Sequence, residues 1–181
     1  MKTKKKKIKT KKNNYELKHS SKKSKTYKRA ISVLHNNSHN IEGIINFIEL
    51  PNNKLRINYN IIGLKNGKHG FHIHEYGDLS DGCSSACKHF NPTNKNHGGL
   101  NSKERHLGDL GNIETINGIT KGELIAKNIN LSKLKHNIIG RMIIIHEDED
   151  DLGMGIGKLK KESLKTGNAG KRLACGVIGL K

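Results

Sequence analysis

The stretch LRINYNI, residues 55–61, alternates apolar and polar side chains without interruption. Alternation with a period of two is typical of a β-strand with one buried and one solvent-facing side. Segments of similar character occur at residues 30–35, 41–49, 122–127 and 138–146. Clusters of Asn and Gly that favour turns separate them, and helix-period patterns are nearly absent. The sequence therefore predicts an all-β fold, an antiparallel sandwich or barrel whose loops carry the function.

Length and charge together predict the domain organisation. The chain has 181 residues, which suffices for one domain with a sizeable core. Residues 1–30 contain 14 Lys and Arg against the single acid Glu16, whereas residues 31–181 contain 20 against 15. Such a basic segment buries too little apolar surface to fold. We therefore predict a flexible basic extension over residues 1–28 and one folded domain over residues 29–181.

The location and partners of the protein are predicted mainly from what the sequence lacks. No continuous apolar segment follows the basic start, as a secretory signal requires, and no later segment could span a bilayer. This predicts a cytoplasmic protein that is not secreted and does not contact a membrane. The lysine cluster at residues 4–9 is compatible with a nuclear address or with weak polyanion binding. Only Tyr15 and Tyr27 are available there for base stacking, which argues against dedicated nucleic-acid binding.

Residues 70–111 are rich in candidate metal ligands. They contain five of the chain's 11 histidines and a carboxylate between glycines, namely His72, His74, His89, His97, His106 and Asp109. His72 and His74 lie two apart in a predicted strand, so their side chains leave the same face. Imidazole and carboxylate ligands suit zinc and copper. The sequence therefore predicts a metal site in this segment, to which His146 adds another imidazole at the end of an apolar run.

The remaining histidines are assigned no role at the metals. We interpret His19, His35, His39 and His136 as surface or hydrogen-bonded residues. His69 precedes a glycine in the turn before the strand, and we interpret it as structural.

Six segments, taken in order, closely resemble the motifs of copper/zinc superoxide dismutases: GFHIHEYGD, CSSACKHFNP, HGG, RHLGDLGN, IIGRMIIIHEDEDDLG and KTGNAGKRLACGVIGL. The resemblance covers residues 29–181. It implies an eight-stranded antiparallel Greek-key barrel with long metal-binding and electrostatic loops. It also implies an antioxidant oxidoreductase that converts superoxide to oxygen and hydrogen peroxide, and it favours a homodimer.

The resemblance further implies which residues hold each metal. Copper would be held by His72, His74, His89 and His146, and zinc by His89, His97, His106 and Asp109. His89 would be the imidazolate shared by both metals. Asp150 corresponds to the carboxylate that orients one histidine of each metal. Because Asp148 and Asp151 lie beside it, the register of that carboxylate rests on the resemblance.

Other implied residues concern the substrate and the disulfide. Arg172 corresponds to the arginine that docks the anion beside copper, and Thr166 to the residue on the other side of the channel. Cys83 and Cys175 correspond to the intrasubunit disulfide. Cys87 replaces a residue that is commonly glycine, and it is either an inert thiol or the partner of Cys83 in a rival bridge.

The segment that corresponds to the electrostatic loop is strongly basic. It contains Lys158, Lys160, Lys161 and Lys165 against the single acid Glu162. Positive potential around a channel accelerates the arrival of an anionic substrate, and added salt weakens the effect. We therefore predict strong electrostatic steering of superoxide.

Two other functions are compatible with these residues. One is a non-catalytic metal-binding domain of the same fold, and the other is a protein whose basic extension binds nucleic acid or an anionic surface. Non-catalytic relatives usually lack some copper histidines or the docking arginine. Because every one of these positions is filled here, the sequence favours an enzyme.

Overall fold

The computed structural model describes residues 28–36 and 40–181. Apart from Lys28, the predicted basic extension lies outside the described residues, and so do His19 and His39. The side chain of His35 is not described either. The described elements are β1 (Arg29–Asn36), β2 (Ile41–Leu50), β3 (Lys54–Ile62), β4 (Gly67–His74), β5 (Asp109–Thr115), β6 (Ile119–Lys127), β7 (Met142–His146), α1 (Lys160–Thr166), β8 (Arg172–Val177) and β9 (Gly179–Leu180). Within this part of the chain, no helix is both long and apolar enough to cross a membrane.

The strands form two antiparallel sheets. One has the order β6-β3-β2-β1-β9 and the other the order β5-β4-β7-β8. Because β3 pairs with β6 and β4 with β7, the chain crosses between sheets in the manner of a Greek key. After Ile178 the chain continues from β8 into the short β9 and joins the other sheet. The predicted antiparallel Greek-key barrel is confirmed.

The core lies between the two sheets. In β3, Leu55, Ile57 and Ile61 are completely buried, and they pack in one cluster with Phe47 from β2 and with Phe71 from β4 in the other sheet. Burying a side chain of this size stabilises a fold by about 1.5–3 kcal/mol. The alternation at residues 55–61 therefore correctly predicted which side of β3 faces the core.

Three elements differ from the sequence prediction. The strand predicted over residues 138–146 begins only at Met142, because Gly140 has a φ of 78° and forms part of a turn. Strand β5 was not predicted, because its sequence lacks a regular alternation of apolar and polar residues. Gly111 in this strand has a φ of 81°, and the register of the β4–β5 pairing shifts nearby. Helix α1 was also missed, because only Ser163 is buried in it and no apolar periodicity marks it.

Candidate metal centre

The first metal group is assembled from two adjacent strands and a loop. Strand β4 supplies His72 and His74, and the paired strand β7 ends at His146. His89 comes from the loop after β4 and forms an isolated antiparallel bridge with His74. All four imidazoles are buried, and one ligand atom of each lies within 4.8 Å of the others. The strand pairing therefore brings together residues that are up to 74 positions apart.

Hydrogen bonds select the ring nitrogen that each imidazole can offer to a metal. His74 Nδ1 donates to the carbonyl of Cys87 at 3.0 Å, and His146 Nδ1 donates to that of Gly170 at 3.2 Å. Their Nε2 atoms remain available and lie 3.3 Å apart. A partner on the far nitrogen fixes the tautomer and orientation of a ligating histidine. His74 and His146 are thus held ready to bind through Nε2.

The second group centres on Asp109. Its Oδ1 lies 2.9 Å from His89 Nδ1 and 3.1 Å from both His97 Nδ1 and His106 Nδ1. His106 Nδ1 and His89 Nδ1 are 3.4 Å apart. A tetrahedral zinc with bonds of about 2.0–2.1 Å needs donors roughly 3.3–3.4 Å apart. The group therefore matches a zinc tetrahedron to within a few tenths of an ångström, with three nitrogens and one oxygen.

Asp150 connects the two groups. Its Oδ2 accepts from His72 Nε2 at 2.9 Å, and its Oδ1 accepts from His97 Nε2 at 2.8 Å. Asp148 is exposed, whereas Asp151 binds Ser163 and Asn168 instead of an imidazole. The structure thus places Asp150 in the position that the resemblance implied.

Two buried nitrogen atoms indicate that metal ions bind at the site. Among the described residues, His72 Nδ1 has no hydrogen-bond partner, and His97 Nδ1 lies 3.1 Å from Asp109 Oδ1 without the geometry of a hydrogen bond. Leaving a buried polar atom unpaired costs about 1–3 kcal/mol. Both atoms point away from Asp150, which holds the other nitrogen of each ring. Copper and zinc are ions that such donors bind, so the residues present fit both metals.

Burial keeps the imidazoles of the first group neutral. Burial lowers the pKa values of His72 and His74 well below the usual range of histidine, and it also lowers the pKa of His89. Burial and the charge of neighbouring groups lower the pKa of His146 to about 4. A metal binds only deprotonated imidazole. These four rings are therefore ready for a metal at neutral pH.

The second group, around Asp109, has the opposite electrostatics. Burial opposes the charged forms of Asp109 and His97, but the close contact between imidazole and carboxylate outweighs it. The adjacent imidazoles of His106, His89 and His97 lower the pKa of Asp109, and the adjacent carboxylates of Asp109 and Asp150 raise the pKa of His97 to about 9. Without metal, His97 therefore holds a proton at neutral pH that zinc has to displace.

A cavity of about 380 Å³ leads to the first group of histidines. It is lined by Arg172 and Thr166, which the sequence had singled out, together with His74, His89 and His146. Arg172 Nη1 donates to the carbonyls of Cys83 and Ser84 at 2.5 and 2.8 Å, and its Nη2 donates to that of Cys87. The guanidinium is therefore fixed in orientation at the cavity.

Sequence reasoning missed three residues that shape the site. Lys88 lines the cavity, and its position directly before His89 was the only signal for it. Arg105 is buried and donates to the carbonyls of His106, Leu107 and Asp109 at 2.7, 3.0 and 3.1 Å, which holds the zinc loop. Gly167 has a φ of 71°, and a Cβ there would overlap Asp150 and His97.

The structure also decides between the alternative disulfides. Cys83 and Cys175 are bonded, and the Cα atoms of the pair are 5.7 Å apart. Cys87 is exposed, and its sulfur forms no disulfide with any described residue. The bond ties the metal loop to β8 directly beside Arg172. The predicted disulfide is confirmed, and the rival Cys83–Cys87 bridge is not formed.

Comparisons with known proteins agree with this geometry. The family model for copper/zinc superoxide dismutase (SODC) matches residues 41–178. The superoxide dismutase [Cu-Zn] of Paramecium bursaria Chlorella virus 1 is 55% identical over 141 residues, which cover 77% of this chain and 73% of the relative. The crystal structure of the clock protein EA4 superposes with a TM-score of 0.80 at 45% identity, covering 87% of this chain and 97% of that one.

One comparison overturns a sequence prediction. An extracellular superoxide dismutase [Cu-Zn] from Brugia pahangi is 48% identical over 152 residues, which cover 83% of this chain and 75% of the relative. The prediction of a cytoplasmic protein that is not secreted is therefore wrong. It rested on the lack of an apolar segment near the basic start, and such an absence does not decide location.

The resemblance seen in six sequence motifs is thus confirmed by independent comparisons. The family match extends from β2 to Ile178 and contains both groups of candidate ligands. The chain therefore belongs to the copper/zinc superoxide dismutase family of metal-binding oxidoreductases.

Proposed function

We propose that this protein disproportionates superoxide to oxygen and hydrogen peroxide with His72, His74, His89 and His146 holding copper and with His89, His97, His106 and Asp109 holding zinc. The observation that carries the proposal is the position of His89, the one imidazole common to both groups of donors. Copper, when bound, supplies the one-electron redox chemistry that superoxide requires. The protein supplies the geometry, the charge and the proton.

His89 is placed to hold the proton that peroxide needs. Its Nδ1 lies 2.9 Å from Asp109 in the zinc group, and its ring centre lies 4.8 Å from that of His74 in the copper group. When Nε2 is not bound to metal it can carry a proton, while Nδ1 keeps the ring in position. His89 can therefore deliver a proton at the cavity without moving away from the site.

Arg172 binds the substrate anion in this proposal. Its guanidinium stays charged throughout the working pH range and presents a planar set of donors. The carbonyls of Cys83, Ser84 and Cys87 fix one side of the guanidinium and leave its charge facing the cavity. Thr166 lines the same cavity, and its hydroxyl donates to Glu162 at 2.9 Å. Arg172 and Thr166 together restrict the cavity to a small anion.

Positive charge around the cavity should steer superoxide to it. Lys88, Lys165 and Arg172 line the cavity against the single carboxylate of Glu162, and Lys158, Lys160 and Lys161 are exposed nearby in sequence. Superoxide dismutase is itself a standard example of such steering, which falls with ionic strength. Added salt should slow the reaction, and the combined Lys158→Gln, Lys160→Gln and Lys161→Gln variant should show a weaker salt effect. A rate constant independent of salt would contradict the steering proposal.

The decisive experiment combines metal analysis with a superoxide-decay assay on the purified protein. We expect copper and zinc in equal amounts together with rapid decay. The His146→Ala variant should lose copper and activity, whereas His136→Asn, a matched change away from both groups, should keep them. Copper-loaded protein without activity would overturn the proposed function and favour a non-catalytic metal-binding role.

We propose the same division of the chain that charge predicted, with residues 29–181 as the catalytic domain and residues 1–28 as an accessory basic extension that binds polyanions weakly. The support is that every proposed metal ligand lies between residues 72 and 146. Deleting residues 1–27 should leave dismutase activity intact and reduce retention on heparin. Loss of activity on deletion would contradict the division.

We also propose that two copies of the chain pair through β1 and the end of the chain. Val33 and Leu180 lie on neighbouring strands of one sheet, and their side chains are 61% and 68% exposed. Val33 also lines a broad groove with Val177 and Gly176. The Val33→Lys variant should therefore sediment as a monomer, and Ile119→Lys, which changes an apolar residue on β6 that is 54% exposed, should not alter the assembly.

A further inference from the structure

Three exposed apolar side chains between β7 and α1 have no role in the dismutase reaction. Met154, Ile156 and Leu159 are 70%, 82% and 61% exposed and lie within six residues of one another. Single exposed apolar residues are normal, whereas large exposed apolar patches mark interaction sites. Electrostatic steering explains the lysines of this segment and leaves these aliphatic side chains unexplained. We call residues 154–161 the apolar–basic loop.

The backbone of this loop is held by hydrogen bonds at its base. Ser163 Oγ accepts from the amide of Gly155 at 2.9 Å and donates to Asp151 Oδ1 at 2.7 Å. Asn168 Nδ2 donates to Asp151 Oδ2 at 2.6 Å and to the carbonyl of Leu159 at 3.3 Å. Because these contacts fix the loop, the exposure of its apolar side chains is part of the folded structure.

The chemistry of the loop favours a lipid surface over a protein partner. Lys158, Lys160 and Lys161 are all exposed, and residues 154–165 contain one acid, Glu162, but no Arg and no aromatic residue. Protein interfaces are depleted in Lys and rely on aromatic and Arg anchors. At a membrane, by contrast, aliphatic side chains enter the headgroup region while lysine ammonium groups remain at the phosphates.

We propose that the apolar–basic loop docks the protein reversibly onto membranes that contain anionic lipid. Met154, Ile156 and Leu159 insert below the headgroups, and Lys158, Lys160 and Lys161 contact lipid phosphates. The sequence prediction of no membrane contact was based on the lack of a spanning segment, and peripheral docking needs none. The proposal goes beyond the dismutase function, which stands whether or not the loop binds lipid.

The lack of Trp in the chain allows a direct test of insertion. An Ile156→Trp variant of the full, metal-loaded protein carries a single fluorescent reporter in the loop. Its emission should shift to the blue, and brominated lipid should quench it, with vesicles of phosphatidylcholine and phosphatidylserine but not with phosphatidylcholine alone. Ile116→Trp is the matched control, because Ile116 is 63% exposed in the turn between β5 and β6 and should show neither change.

Vesicle sedimentation measures separately what the lysines and the apolar side chains contribute to membrane binding. Each lysine near an anionic surface contributes about five-fold to binding, so the combined Lys158→Gln, Lys160→Gln and Lys161→Gln variant should bind roughly 100-fold more weakly. The combined Met154→Ser, Ile156→Ser and Leu159→Ser variant should lose binding and keep full dismutase activity. Ile116→Ser with Ile119→Ser removes two apolar groups elsewhere that are 63% and 54% exposed, and this variant should bind normally.

Three results would overturn the proposal. The first is a Trp emission at position 156 that vesicles do not change. The second is binding that survives both loop variants but is lost when the lysines at residues 4–7 become Gln, which would assign it to the basic extension. The third is retention on polyglutamate without vesicle binding, which would indicate an acidic protein partner.

Discussion

Replacing Asp150 by Asn should weaken metal binding without unfolding the protein. Asp150 is 1% exposed, and its two oxygens lie 2.9 and 2.8 Å from His72 Nε2 and His97 Nε2. An amide of the same shape can accept from one imidazole through its oxygen, but it presents N–H to the other. That imidazole has to move its proton to Nδ1, which is the atom needed by the metal.

The size of the effect follows from this loss of support. Removing the partner of a ligating histidine typically lowers metal affinity by about 10–100-fold, or roughly 1.4–2.7 kcal/mol. Asp150 supports one imidazole of each proposed metal, so at least one of the two affinities should fall by this factor. Zinc and copper affinities can be measured by competition with chelators, and metal content after dialysis gives a second reading.

Asp148→Asn is the matched control for this experiment. Asp148 is exposed and only two residues away, and no imidazole contact is described for it. This variant should keep both affinities within about two-fold, as is usual for surface substitutions. Copper and zinc affinities of Asp150→Asn that equal those of Asp148→Asn would refute the role of Asp150 as the link between the sites.

Zinc binding should release a proton from His97, whose pKa is about 9 in the metal-free protein. Zinc affinity should therefore rise about ten-fold per pH unit up to about pH 9, and calorimetric heats should depend on the buffer, whereas buffer-independent heats would contradict this. The same raised pKa stabilises the metal-free fold fully below about pH 6.5, and this contribution is lost as the pH rises through about 9, which urea unfolding can follow. Arg172→Gln should lower kcat/KM by about 10-fold or more with unchanged metal content, and an unchanged rate would remove Arg172 from substrate binding. Cys175→Ser opens a link across 92 residues and should lower the free energy of unfolding by up to about 4.6 kcal/mol, whereas an equal loss in Cys87→Ser would contradict the disulfide assignment.

Local patterns in the sequence were sufficient for several features. The alternation at residues 55–61 predicted a strand and its buried face, because strand geometry sends successive side chains to opposite sides. The same rule placed His72 and His74 on one face of β4. Strand β5 escaped prediction because positive φ at Gly111 interrupts its pattern. Location was predicted wrongly, because it depends on more than the absence of an apolar segment.

The sequence by itself determined the chemistry of the candidate site, since residue type fixes which atoms can bind copper or zinc, and its ordered motifs determined the family. Only the tertiary structure decided which of three neighbouring aspartates reaches the imidazoles, and it did so through the distances of Asp150 from His72 and His97. It also brought Arg172 to the carbonyls of Cys83 and Cys87 and joined Cys83 to Cys175. These contacts join residues 53 to 92 positions apart, and no local pattern encodes such pairings because they arise from sheet order and packing.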